Sequence, residues 1–211
     1  GMSFGLVLGV LVQVILGGLV VLTGLNPFFN IAHFLVSIFL ITNAYLLLQH
    51  AKIVKTSENV LPRQDPALTN RKVILLIRSV LIMIGLAIVT GTVVTGSGPH
   101  AGDENAQRID LAINLVVRIH SGSVLLSILL SIILLIIARR DRKSWQIMAS
   151  SLQRFICIAV FQGLLGYVQY FAGIPMYLVA VHVATSVVVW LSALSLYWQS
   201  RLPEQTSSVL D

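Results

Sequence analysis

Three histidines lie inside long apolar stretches of this sequence: His33, His120 and His182. Ionisable side chains within membrane-spanning segments are costly, and their presence indicates function. Each histidine lies about four to nine residues inside the outer end of its stretch, so we expect the three rings to share one depth in the membrane. Imidazole at that depth can bind a metal or a haem iron.

Small residues follow the histidines at helical spacing. Ser123, Ser127 and Ser131 come three, seven and eleven residues after His120, and small side chains on one helix face let a planar cofactor or a neighbouring helix approach. Two neutral imidazoles facing each other across a bundle could supply both axial ligands of a haem iron. The alternative is that each ring only donates a hydrogen bond to a backbone carbonyl of a neighbouring helix.

The composition predicts the elements that must position these histidines. Of 211 residues, 56% are hydrophobic and 10% are charged, whereas soluble domains carry about 25% charged residues. An ordinary soluble enzyme is therefore excluded. Six stretches reach the roughly 20 apolar residues that a membrane helix requires. We predict an all-α polytopic membrane protein with spans at 4–24, 29–49, 73–97, 111–138, 148–171 and 175–199.

The charged residues indicate the orientation. Most of the 14 Lys and Arg residues lie in the loops after the second and fourth spans, on one side of the membrane. The positive-inside rule then places these loops and both termini in the cytoplasm. The net charge of +6 is explained by this topology, and nucleic acid is not an expected partner. The single cysteine, Cys157, excludes an internal disulfide.

The sequence contains an internal repeat. Residues 13–33 align with residues 162–182 at a constant offset of 149, with identical glutamine, leucine, glycine and histidine residues. A parallel repeat follows, in which the last four spans form one complete four-helix bundle and the first two are half of a second. We therefore divide the chain into a hairpin (1–50), a cytoplasmic linker (51–72), a haem-binding bundle (73–199) and a cytoplasmic tail (200–211). By this measure the chain is about two helices short.

Three further residues have open interpretations. His50 is predicted to be a solvated residue at the cytoplasmic end of the second span. His100 lies in a glycine-rich outer loop, 98–110, which is either a lid over the bundle or a reverse turn. Arg118 could pair with Asp110, with lipid headgroups or with a haem propionate.

Several motifs together resemble those of the haem A synthase family. They are Val89 to Asp103, Arg118 to Ser123 and Gln162 to Tyr170 with His182; Gly17 to Gly24 with His33 resembles an earlier hairpin of the same family. The resemblance covers the family's third to eighth helices. The first two helices, with a further histidine and a catalytic acidic residue, have no counterpart here.

The resemblance implies an oxidoreductase of the bacterial cell membrane that converts haem O to haem A for terminal oxidase biogenesis. It implies that His120 and His182 ligate a haem b. It also implies that His33, as a catalytic and iron-binding residue, belongs to the site of the substrate haem O. Expected partners are haem O and haem A, haem O synthase, terminal oxidase assembly factors and membrane lipid, and an oligomer is compatible with it.

Three alternatives stay open at this point. The chain could be a non-enzymatic membrane cytochrome that passes electrons through one bis-histidine haem. It could be a shortened, catalytically inactive form. It could also be a transporter or another helical-repeat protein whose histidines are structural.

Overall fold

The computed structural model describes residues 2–57, 68, 70–98 and 106–201. Within these ranges it contains six helices and no strand, and all six helices are long and apolar enough to cross a membrane. The predicted all-α class and the six spans are confirmed. The helices are α1 (Met2–Leu22), α2 (Pro27–Ser57), α3 (Arg71–Ser97), α4 (Ile113–Arg140), α5 (Arg142–Phe171) and α6 (Met176–Gln199).

Two helices extend beyond the predicted spans, because helix continues where the apolar sequence ends. α2 runs to Ser57 instead of ending near residue 50, so it takes up the first part of the predicted linker. α5 begins at Arg142 instead of 148, which leaves Asp141 alone between α4 and α5. Lys, Arg and Gln are good helix formers. The end of a hydrophobic stretch therefore marks the limit of lipid compatibility rather than the end of the helix.

The repeated segments end their first helices in the same way. Gly24 after α1 and Gly173 after α5 have φ of +62° and +79°. The next residues, Leu25 and Ile174, are also left-handed, at +60° and +58°. Each of these two amides donates a 2.8 Å hydrogen bond to the carbonyl five residues earlier, as in a Schellman motif. The two hairpins, α1–α2 and α5–α6, thus turn by the same local mechanism.

Large apolar side chains fill one end of the space among α3, α4, α5 and α6. α3 contacts α4 and α6, and α5 contacts the same two helices. The buried residues come from the first halves of α3 and α5 and the last parts of α4 and α6. The largest fully buried side chains in these helices include Ile77, Leu134, Met148, Leu152, Phe155 and Leu196. The opposite end of these helices carries the histidines.

A network of side-chain hydrogen bonds joins three helix ends beside this core. The side-chain oxygen of Asn70 caps α3 by accepting hydrogen bonds from the amides of Lys72 and Val73. Its Nδ2 donates to Asp141 Oδ2 over 2.9 Å, and Ser144 donates to the same oxygen over 2.6 Å. The start of α3 is therefore tied to the joint between α4 and α5.

Candidate functional site

The structure brings two of the three membrane histidines together. The ring centroids of His120 on α4 and His182 on α6 lie 6.5 Å apart, and the ring planes meet at 80°. His120 is the eighth residue of its helix and His182 the seventh. α4 and α6 begin on the same side of the molecule, because one helix separates them in the chain. The two rings therefore meet at one depth.

His120 is oriented by α3. Its Nδ1 lies 3.0 Å from the carbonyl oxygen of Ala87 and 3.3 Å from Thr90 Oγ1. A proton on Nδ1 satisfies the Ala87 carbonyl, which leaves the lone pair on Nε2 available as a ligand. A hydrogen bond to a backbone carbonyl was the alternative proposed from the sequence for each histidine, and His120 makes it.

His182 is held differently. Its Nδ1 is buried and has no hydrogen-bond partner among the described residues. Its backbone carbonyl accepts a 2.8 Å hydrogen bond from Gln162 Nε2 on α5, and the Gln162 side-chain oxygen accepts one from Thr185. A buried polar atom without a partner costs about 1–3 kcal/mol and requires an explanation. The ring of His182 thus lacks the backbone partner that His120 has.

Each ring is seated against a glycine of the neighbouring helix. A Cβ at Gly91 on α3 would lie 3.1 Å from His120 Cε1, and a Cβ at Gly166 on α5 would lie 3.0 Å from His182 Cε1. Both distances are shorter than ordinary contacts between a Cβ and a neighbouring atom. Only glycine lets each imidazole lie this close to the adjacent helix.

A cavity of about 670 Å³ adjoins both histidines. Ligand sites are typically about 300–1,000 Å³ and mostly apolar with a few polar groups. Here the polar groups include Gln162 and Gln169, and Gln169 Oε1 is buried without a partner. Of the three serines that follow His120, Ser127 lines the cavity. The hydroxyls of all three donate to carbonyls of α4 itself.

The residues present fit a planar cofactor bound by two histidines. A metal–imidazole bond is about 2 Å long and a ring nitrogen lies about 1 Å from its ring centre, so imidazoles on opposite sides of one metal have centroids about 6 Å apart. Directly contacting rings also fall between about 4.5 and 7 Å. The glycine contacts of both rings and the adjoining cavity of about 670 Å³ are compatible with such a cofactor.

His33 lies apart from this pair, on the α1–α2 hairpin. Its Nδ1 is buried without a partner, and a Cβ at Gly17 would lie 3.4 Å from its Cε1. Gln13 Nε2 donates to the His33 carbonyl over 3.0 Å. This is the arrangement of Gln162, Gly166 and His182 at the same offset of 149. His33 does not line the large cavity.

The remaining sequence candidates have separate positions. His50 is exposed, as predicted, but lies within α2, with its ring 5.0 Å from that of Trp198. Arg118 is exposed and lies outside the cavity lining. His100 falls outside the described residues. Among those that are described, no three His, Cys, Asp or Glu side chains group as a metal site.

Sequence reasoning missed the α3 side of the site. Ala87, Thr90 and Gly91 orient or seat His120, although α3 contributes no histidine. Gly17 and Gly166 each precede their histidine by sixteen residues across a tight turn, but a long loop separates Gly91 from His120. The sequence spacing between Gly91 and His120 therefore did not indicate that the two residues are in contact.

Comparisons of the chain with protein-family models, with curated proteins and with solved structures gave no significant match.

Proposed function

We propose that α3–α6 form a four-helix bundle that binds one haem b, which the side chains of His120 and His182 would hold. The observation that carries the proposal is the pair of imidazoles 6.5 Å apart beside a cavity of about 670 Å³. Because both rings rest on glycines, the neighbouring helices leave room for the histidines without a Cβ against either ring.

The surrounding residues have definite tasks in this proposal. The Ala87 carbonyl and the Thr90 hydroxyl hold His120 so that Nε2 is the free nitrogen. Gln162 holds the backbone of α6 at His182. When bound, a bis-histidine haem supplies reversible one-electron chemistry. Apolar side chains line most of the cavity, as is typical of a site for a largely apolar cofactor.

Together with the motif resemblance, we propose the activity of a haem A synthase-like oxidoreductase. A methyl group of haem O is oxidised to a formyl group, with water as the source of the oxygen atom and with four electrons and four protons passing to an external electron acceptor. The α1–α2 hairpin then contributes His33 to the substrate site. Support comes from the repeated geometry: the His33 ring rests on Gly17, and its Nδ1 is buried without a partner, as in His182.

The haem proposal is tested by the absorption spectrum of the purified chain. We expect a low-spin haem spectrum that is lost in His120→Ala and in His182→Ala and retained in His33→Ala. His50→Ala is a matched control, because His50 is an exposed histidine near the other end of α2. Wild-type protein without haem, or a spectrum retained in both ligand variants, would overturn the proposal.

A second experiment separates the enzyme from a non-enzymatic cytochrome. The chain is expressed in cells that make haem O but no haem A, and the extracted haems are separated. Haem A in the extract, and its loss in His33→Ala, support the oxidoreductase. A normal bis-histidine spectrum without haem A supports electron transfer alone, or a form that lacks activity.

We also propose a bacterial cell membrane location with both termini cytoplasmic, from the basic residues after the second and fourth spans. An alkaline phosphatase fused after residue 201 should then be inactive, and one fused within 106–111 should be active. The opposite pattern would reverse the orientation.

A further inference from the structure

A second, smaller cavity lies between α5 and α6, towards the end of these helices that is far from the histidines. Its volume is about 130 Å³, and it is lined by Ser151, Arg154, Ile158, Ser192 and Ser195. Arg154 is the thirteenth residue of α5, whereas Gly166 at the histidine site is the twenty-fifth. The cavity therefore combines one cation and three hydroxyls within membrane-spanning helices.

Arg154 is exposed, and its hydrogen bonds to the described residues use only some of its donors. Its Nε donates to the Ser150 carbonyl over 3.3 Å, and its Nη2 donates to Ser151 Oγ over 3.2 Å. Ser151 in turn donates to Gln199 Oε1 on α6 over 2.6 Å. These bonds use two of the five N–H groups of the guanidinium. They bend the side chain back towards the start of α5, as expected for a snorkelling arginine.

The described helices offer Arg154 no counter-charge. The six helices contain no Asp or Glu, and the described acidic residues are Asp110 and Asp141, both outside them. Asp141 precedes Arg154 by thirteen residues, which is about 20 Å along a helix axis. An arginine at membrane depth is costly unless an anion or water compensates its charge. An external anion would supply what these helices lack.

We propose that Arg154, with Ser192 and Ser195, binds the phosphate of an anionic phospholipid. A guanidinium matches phosphate oxygens in a bidentate geometry. The Ser195 hydroxyl can rotate to donate to the same group, and so can the Ser192 hydroxyl, which otherwise donates to the Val189 carbonyl over 2.8 Å. The cavity volume of about 130 Å³ is larger than the space that one water molecule requires, so the cavity has room for phosphate oxygens.

A lipid is favoured over a free anion by the apolar surroundings. Ile158, one turn beyond Arg154, lines the cavity, and Phe161 further along α5 is 58% exposed. This surface continues from the cavity along the part of the helix that crosses the membrane, where an acyl chain would lie. The inference does not depend on haem binding, because the site shares no residue with the histidine cavity.

Native mass spectrometry of the full chain in detergent tests the proposal. Titration with phosphatidylglycerol should show tighter binding of the first lipid than titration with phosphatidylcholine. Arg154→Gln should weaken that first phosphatidylglycerol binding about fivefold or more. Arg78→Gln is the matched control, because Arg78 is an exposed arginine of α3 that lines neither cavity. Phosphatidylglycerol binding should be unchanged in Arg78→Gln.

A second variant keeps the charge but fills the space. Ser195→Leu should also weaken phosphatidylglycerol binding, with helical content unchanged by circular dichroism. Unaltered binding in both Arg154→Gln and Ser195→Leu would overturn the site. Equal losses in Arg154→Gln and Arg78→Gln would show general surface charge instead. Displacement of the lipid by millimolar inorganic phosphate would show a free-anion site.

Discussion

The indole Nε1 of Trp190 on α6 donates a 2.7 Å hydrogen bond to Thr42 Oγ1 on α2. The same ring packs on α3, where a Cβ at Gly85 would lie 3.6 Å from it. Three helices therefore meet at one side chain. This bond ties the α1–α2 hairpin to the helices that carry the His120–His182 pair.

We expect Trp190→Phe to loosen this junction. The bond should be worth about 1 kcal/mol, because hydrogen bonds between membrane helices are modest in net strength. Unfolding in mixed micelles of Trp190→Phe, Thr42→Val and the double variant measures it as a double-mutant cycle, which removes the packing effect of the smaller ring. Strictly additive free-energy changes would show that the bond contributes nothing.

Substitution of Gly91 or Gly166, the glycines that contact the two histidine rings, should reduce haem occupancy. In Gly166→Ala or Gly91→Ala the new methyl group would lie 3.0 or 3.1 Å from its imidazole, so the ring must move by a few tenths of an ångström. We expect less bound haem per protein and a weaker low-spin spectrum. Gly122→Ala and Gly18→Ala are matched controls, because a Cβ at either position meets nothing within 4 Å.

The control substitutions carry their own expectation. Alanine in place of a helical glycine whose Cβ would contact nothing should raise the free energy of unfolding by about 0.5–1 kcal/mol. The haem content should be unchanged. Equal haem loss in Gly122→Ala and Gly166→Ala would contradict a specific role for the glycine contacts with the histidine rings.

The repeated glutamines should differ in their effect on the haem. Gln162→Leu and Gln13→Leu each remove a hydrogen bond to a histidine carbonyl, at 2.8 and 3.0 Å. Each should cost about 1 kcal/mol of stability in micelle unfolding. The haem spectrum should change only in Gln162→Leu, because His182 and not His33 lines the cavity. A spectral change in Gln13→Leu alone would indicate that the haem is bound near His33 on the α1–α2 hairpin instead.

Stability should depend on pH through Asp141. The hydrogen bond from Ser144, and then that from Asn70, lowers the pKa of Asp141 below its usual value. The ionised form is favoured in the folded protein, so its stabilisation is present above the ordinary pKa of about 3.9. It is lost as the pH falls through the lowered folded value.

We therefore expect the unfolding midpoint of the wild type to fall as the pH is lowered below the ordinary aspartate pKa of about 3.9. Asp141→Asn should show a flatter profile in the same micelles, and Ser144→Ala an intermediate one. Identical profiles for the wild type and Asp141→Asn would exclude this carboxylate as the source.

Some boundaries could not be predicted from hydropathy. The sequence contains no signal that would delay the start of α5 until residue 148 or end α2 directly after His50, because charged residues with good helix propensity extend α5 and α2 beyond their apolar parts. Gly24 and Gly173, in contrast, correctly mark the turns, since a left-handed residue after a helix is a local requirement.

By itself, the sequence determined the six helices, the similar depth of the three histidines within them and the equivalence of the two hairpins. These properties depend on apolar length, helical spacing and turn chemistry, all of which act between near neighbours in the chain. Only the tertiary structure decided that His120 rests on Gly91 and bonds to the Ala87 carbonyl, that His182 lacks such a partner, and that Trp190 meets Thr42. Those contacts join residues from 29 to 148 positions apart, and their formation depends on how whole helices pack.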